Sequence, residues 1–195
     1  LECVRLDKLR EVHEGHDGTW VAHPGLVAVA KEVFDAHMPG PHQQHRLRED
    51  VRVTAEDLLK IPEGQRTRKG LEEAVSVSLG YLEAWLGGQG CVPLNHRMED
   101  AATAEIARAL LWQWRRHGAL LEDGTVVTEA LLRRAFQEAL EAARAEVGEE
   151  RFFNGHYREA KRHLEDLVLA ESFEPFLTLA AYGDLITDEL ITRVG

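Results

Sequence analysis

The chain has 195 residues, a mass of 22.0 kDa, 44% hydrophobic and 29% charged side chains, so it can bury a core as one domain or one domain with an appendage, and it is globular rather than disordered. The formal charge of −11 divides as 8 basic against 11 acidic groups over residues 1–60 and 15 against 23 beyond, which argues against a binder of nucleic acid or anionic membrane. Only Cys3 and Cys91 are present, a usage that excludes a disulfide scaffold and suits a reducing cytoplasm, and no apolar run approaches the ~20 residues of a bilayer span.

Residues 1–14 read as a helix with Leu1, Val4 and Val12 near one face. His16-Asp17-Gly18 breaks it. Thr19-Trp20-Val21-Ala22 is the best strand candidate, being aromatic and β-branched, and Pro24-Gly25 stops it. Residues 26–37 return to a helical period. Strand then helix is half of a β/α unit, and a lone strand cannot satisfy its own backbone groups. Met38 to Arg48, with Pro39-Gly40-Pro41 and a polar His42-Gln43-Gln44-His45, reads as a linker and a domain boundary.

Beyond it the chain is predicted to be helical. Thr54 resembles a cap with acids in the following turn. Residues 68–86 carry Leu71, Val75, Leu79, Leu82 and Leu86 at three- and four-residue steps, and Gly87-Gly88-Gln89-Gly90 ends that helix. Cys91-Val92-Pro93-Leu94 is an extended connector. Asp100 to His117 is a helix with Ile106, Leu110 and Trp114 on its expected core face. Asp123-Gly124 is a turn. Thr128 caps a helix to Val147, one continuous helix is expected over Glu149–Leu169, and the apolar stretch Phe173–Ile191 is helical again.

The ten histidines form no H-E-x-x-H pattern, and no cysteine pair has zinc spacing, so surface histidines outweigh a metal site. Cys91 has only His96 near it at nucleophile spacing, and an incidental thiol is favoured. At Glu99-Asp100 two acids stand where a helix begins. The simple account is a cap at Asp100, with Glu99 complementing the helix dipole. A carboxylate there could equally serve as a general base, and the residues alone do not choose.

Several stretches carry a resemblance. Gly15-His16-Asp17-Gly18-Thr19-Trp20-Val21-Ala22-His23-Pro24-Gly25 is similar to a signature near the end of the malate synthase barrel. So are Tyr81-Leu82-Glu83-Ala84-Trp85-Leu86, Gly90-Cys91-Val92-Pro93 and Met98-Glu99-Asp100-Ala101-Ala102-Thr103-Ala104-Glu105-Ile106. Leu111-Trp112-Gln113-Trp114 and Phe176-Leu177-Thr178-Leu179 extend the match over nearly the whole chain, in order, and the shorter A-type enzyme is the nearest variant. Ala180-Ala181-Tyr182 departs from the family's usual Pro-Ala-Tyr.

The resemblance implies a mainly α chain: the last β/α unit of a TIM barrel over 1–40, a linker and cap over 41–66, and a helical C-terminal domain over 67–195. It implies condensation of acetyl-CoA with glyoxylate and hydrolysis of the thioester to malate and CoA, in the cytoplasm. By motif match Asp100 is the catalytic base, Pro24 touches acetyl-CoA, and Cys91 and Glu99 are active-site neighbours. The Mg²⁺ cofactor is expected to have its ligands in barrel strands upstream, with no metal ligand in this chain. The length falls short of the ~250 residues typical of a TIM barrel. Leu1 stands inside a helix where a start Met would be, and it reads as a cut within a longer protein. The chain alone is therefore expected to be inactive, and its barrel surface is expected to favour self-association. The alternative is a non-enzymatic helical interaction module of the same ancestry.

Overall fold

The computed structural model describes residues 1–61, 63–95 and 97–194, with backbone only over 187–194. It divides into two compact units, Leu1–Pro62 and Glu63–Gly195.

In the first unit, α1 (Glu2–His13) packs against α2 (Val27–His37). The shared core is small: Val12, Val33 and Phe34, flanked by Leu9 and Met38. Val12 is buried as its place on the expected face requires, whereas Leu1 is exposed. The polar stretch after α2 is tied back to α1. Buried Gln43 donates through Nε2 to the carbonyls of Val12 at 2.9 Å and His16 at 2.8 Å, so it satisfies carbonyls left open at the helix end. A short helix, α3 (Ala55–Leu59), opens with a capping box in which Thr54 and Asp57 bond each other's backbone N–H.

One expectation is corrected in this unit. Thr19–Ala22 forms no strand, and Trp20 lies 77% exposed. A strand exists by pairing, and among the described residues none pairs with this segment. Pro24–Leu26 is instead a 3-10 turn leading directly into α2.

The second unit is built around α4 (Arg68–Leu86), which packs on α5 (Ala101–Arg116), α6 (Glu129–Val147) and α8 (Tyr157–Leu169). The predicted stripe Leu71, Val75, Leu79, Leu82 and Leu86 is buried throughout and meets Leu111, Leu132, Phe136 and Leu164 in one core. Thr67 caps α4, and Thr128 caps α6 by accepting from the Leu131 N–H at 3.2 Å. The turn at Asp123-Gly124 forms, with Gly124 at φ +79 and the Asp123 side chain accepting from Thr125 N–H.

Three expectations are corrected here. Cys91–Leu94 (β1) does not run free: it pairs antiparallel with Arg97–Asp100 (β2) in a hairpin. The expected helix over Glu149–Leu169 is two, α7 (Glu149–Asn154) and α8, separated at Gly155-His156. A Cβ at Gly155 would overlap the Arg151 guanidinium and lie 2.6 Å from Glu83 Oε1, so the chain bends where side chains leave no room for one. On α5, Ile106 is 71% exposed, and the buried face is Ala104, Ala107, Arg108 and Leu111.

Buried Arg108 explains the last difference. Its Nη2 lies 2.7 Å from Glu105 Oε2, and its guanidinium stands 4.2 Å from the centre of the Phe173 ring. Glu105 in turn accepts from the backbone N–H of Leu177, the first residue of α9 (Leu177–Val194). Trp112 and Arg115 donate to the carbonyls of Ala170 and Val168. The inner face of α5 is apolar except at Arg108, and polar groups beside it, Glu105, Trp112 and Arg115, bond the backbone of the connection from α8 to α9.

Candidate active site

The hairpin decides where the acidic residues go. Side chains alternate along a strand, so neighbours on β2 face opposite ways. Glu99 is turned inward and is 5% exposed, and Asp100 is turned outward to solvent. Glu99 stands opposite Val92, and Asp100 stands opposite Cys91, whose thiol is free and exposed. The expected neighbourhood of Asp100 and Cys91 is thus a rung of the ladder.

Asp100 is also the N-cap of α5. Its Oδ1 accepts from the Thr103 N–H at 3.2 Å and the Thr103 hydroxyl at 3.4 Å. Both bonds fall on one oxygen. Oδ2 has no bond among the described residues, so the exposed carboxylate caps the helix with one oxygen and keeps the other available to accept. His96, the histidine near Cys91 in sequence, lies outside the described residues.

Beneath the rung stands Tyr81 of α4, 1% exposed, with its hydroxyl 3.5 Å from the carbonyl oxygen of Gly90. Burial pushes the Tyr81 hydroxyl pKa up, and the charges of Asp100, Cys91 and Glu105 push it the same way. Sequence reasoning placed Tyr81 in a motif but gave it no part in the site. Its position one step off the leucine stripe of α4 is the signal that could have raised it.

Pro24 is the first residue of the 3-10 turn in the other unit. There its φ suits the position, and His23 Nδ1 caps the turn by accepting from Gly25 N–H at 3.0 Å. It is exposed.

A magnesium ion would need several oxygen ligands converging. Among the described residues no three His, Cys, Asp or Glu side chains come together. The adjacent carboxylates of Glu99 and Asp100 diverge, and Glu105 is engaged by Arg108 and the Leu177 N–H. The residues present do not fit a resident Mg²⁺.

Family comparison covers both units. The model for the malate synthase C-terminal region matches residues 65–185, and that for the malate synthase TIM barrel domain matches residues 1–61. The chain belongs to the malate synthase family. It is 53% identical over 185 residues to a malate synthase of Myxococcus xanthus, covering 95% of this chain and 34% of that protein. A glyoxysomal malate synthase of Zea mays is 49% identical over 192 residues, again covering 95% of this chain and 34% of that protein. A bifunctional glyoxylate cycle protein of Caenorhabditis elegans is 49% identical over 185 residues, covering 95% of this chain and 19% of that protein. The chain thus spans about a third of the malate synthases it matches. The hairpin and Asp100 fall inside the C-terminal match, and Pro24 falls inside the barrel match. Among the described residues no helix is long and apolar enough to cross a membrane.

Proposed function

We propose that this chain supplies the general base of a malate synthase, condensing acetyl-CoA with glyoxylate and hydrolysing the thioester, and that Asp100 is that base. One observation carries the reading: exposed Asp100 is anchored through Oδ1 at the start of α5, and its Oδ2 has no hydrogen bond among the described residues. A base must be held in place without having its accepting oxygen consumed, and this arrangement does both.

The reaction follows in balanced steps. Asp100 Oδ2 takes a proton from the methyl carbon of acetyl-CoA, and the C–H electron pair becomes the enolate of the thioester. The enolate carbon attacks the aldehyde carbon of glyoxylate, forming a C–C bond as the C=O π pair moves to oxygen, and the proton removed by Asp100 ends on that oxygen, which returns Asp100 to its carboxylate. Water attacks the thioester carbonyl, and the C–S bond breaks to release malate and the thiol of CoA. A thioester α-proton is weakly acidic, so water must be excluded around the base as proton transfer occurs. Pro24 is assigned to the acetyl-CoA contact and Glu99 to the support of Asp100 from the buried side of β2. Cys91 is a neighbour of the base, not a nucleophile.

Magnesium remains a cofactor of the whole enzyme in this reading, with ligands outside this chain, and no step above is routed through it. A cytoplasmic setting is supported by the two free thiols, Cys3 and Cys91. Self-association of the isolated chain is supported by exposed Trp20 and Val27 in the first unit. The deciding experiment is Asp100→Asn in the full-length enzyme. Loss of CoA release with folding preserved is expected, and near-normal release would refute the assignment.

A further inference from the structure

Three of the four residues from Gly87 to Gly90 are glycine, and this segment carries the chain from α4 into β1. Gly88 takes φ +83, a region that favours glycine, and nothing lies within 4 Å of where a Cβ would stand at Gly88 or Gly90. Backbone bonds from Gly87 N–H to Glu83, Gly88 N–H to Trp85 and Gln89 N–H to Ala84 close the end of α4. They stop one residue short of Gly90. Gly90 is instead tied to the core by Tyr81, whose hydroxyl donates to its carbonyl oxygen at 3.5 Å. The next residue, Cys91, is the ladder partner of Asp100.

We infer that Tyr81 is a positioning residue for Asp100, acting through Gly90 and the Cys91 rung of the hairpin. The inference rests on the reading of Asp100 as the base. The physical case is one of stiffness. The hairpin packs on α4 through Val92 and Leu94 and buries Glu99, but its entry at Gly88 and Gly90 has no side chain to hold it. A base that must meet a methyl proton tolerates little displacement, since errors of ~1 Å cost about a hundredfold in rate. The ring of Tyr81 is buried in the core, so a bond from its hydroxyl ties the Gly90 backbone to a packed element. Because burial and the nearby acids hold the hydroxyl protonated above its ordinary range, it stays a donor while Asp100 is working.

The test uses the full-length enzyme carrying Tyr81→Phe, which keeps the ring in the core and removes only the hydroxyl. Turnover is expected to fall about five- to twentyfold, with KM for both substrates unchanged within about twofold. The deuterium isotope effect on kcat with methyl-deuterated acetyl-CoA is expected to rise, because proton removal is the step slowed. A merely structural role would reduce the folded fraction and leave that isotope effect where it was. In an Asp100→Asn background, adding Tyr81→Phe should change the residual rate by less than about twofold, since its action runs through Asp100. Unchanged turnover in Tyr81→Phe beside an inactive Asp100→Asn overturns this inference alone. A full loss repeated in the Asn background, or an unchanged isotope effect, overturns it as well. Near-normal turnover of Asp100→Asn by itself overturns the base assignment and this inference with it.

Discussion

Replacing Asp100 by Asn keeps the side-chain shape and an oxygen that can accept from the Thr103 N–H, 3.2 Å from Oδ1 in the structure, while removing the charge. Asn and Asp are nearly equal as N-caps, so α5 keeps its start and stability should hold within about 0.5 kcal/mol. Asp100→Ala deletes the cap as well. The bond lost is long and exposed, which puts the cost in the lower half of the usual range, about 1 kcal/mol. In a domain of this size that lowers Tm by about 2–4 °C. Turnover behaves differently. Both variants lose the general base, and both should fall about 10²- to 10⁴-fold. The assay is thiol release from acetyl-CoA with glyoxylate in the full-length enzyme, with thermal unfolding of the same samples. An Asn variant with wild-type turnover refutes the chemistry. An Asn variant that unfolds as early as the Ala variant refutes the claim that capping and catalysis use different oxygens' worth of the same carboxylate.

Other outcomes test the frame around the site. Gly155→Ala forces a methyl group against the Arg151 guanidinium and to 2.6 Å from buried Glu83, so it should cost about 1–3 kcal/mol, read as a lower denaturation midpoint; an unchanged midpoint refutes the steric account of the α7–α8 break. The Asp184 carboxyl is held below its ordinary range, chiefly by the hydrogen bond from His163 Nε2 at 2.7 Å and then by the charges of His163 and Arg162. A depressed carboxyl adds stability above its unfolded pKa of about 3.9 and loses it as pH falls through the lower folded value. Asp184→Asn should therefore lower Tm near neutrality, with the difference vanishing at strongly acid pH, and a difference that persists there sinks the linkage. The purified chain alone, given Mg²⁺, acetyl-CoA and glyoxylate, should release no CoA above background, and sedimentation of the same sample should show association that Trp20→Ser reduces. Turnover near that of an intact enzyme, or a monomer at all concentrations, contradicts the respective claim.

What the sequence made legible was local. The α4 stripe, the caps at Thr54, Asp100 and Thr128, and the turn at Gly124 depend on spacing and side-chain chemistry within one or two turns, and each stands where those rules put it. What it hid was pairing across distance. The strand character of Thr19–Ala22 is real as a propensity, but a ladder needs a neighbour. The hairpin at Asp100 has the opposite history: Asn95, at φ +50, is the turn residue that could have announced it, and Cys91–Leu94, read as an extended connector, carries Pro93, which an edge position tolerates. The face of α5 was misread because Arg108 looks like a surface residue. Its burial is met by Glu105 and the Phe173 ring, with Glu105 held in turn by the start of α9, groups both near and far in sequence. For the site, Asp100 and Cys91 were named by motif, and the ladder supplies the physical reason for their proximity.

The exposure of Asp100 carries the last step. In this chain its carboxylate lies open to water, with Met98 before it 54% exposed and Ile106 after it 71% exposed. A base that removes a thioester α-proton works in a site closed to bulk water, since water competes for the proton and screens the charge that must be stabilised on the enolate oxygen. Among the described residues no ion pair to Asp100 is present, and Arg108 is buried against Glu105 and Phe173. On the proposed reading of Asp100 as the base, the described residues supply an anchored proton acceptor, and the electrophile site and oxyanion partner are expected from elsewhere in the enzyme. On that reading, exposed Met98 and Ile106, near Asp100 in sequence, are surfaces that the walls of such a closed site would cover in a malate synthase of the length of the relatives matched, about three times that of this chain. If that is their purpose, Ile106→Ser should leave the fold of this unit intact, because Ile106 lies outside its core, and should impair turnover of the full-length enzyme. Equal loss of stability and turnover, or loss of neither, would separate Ile106 from the site.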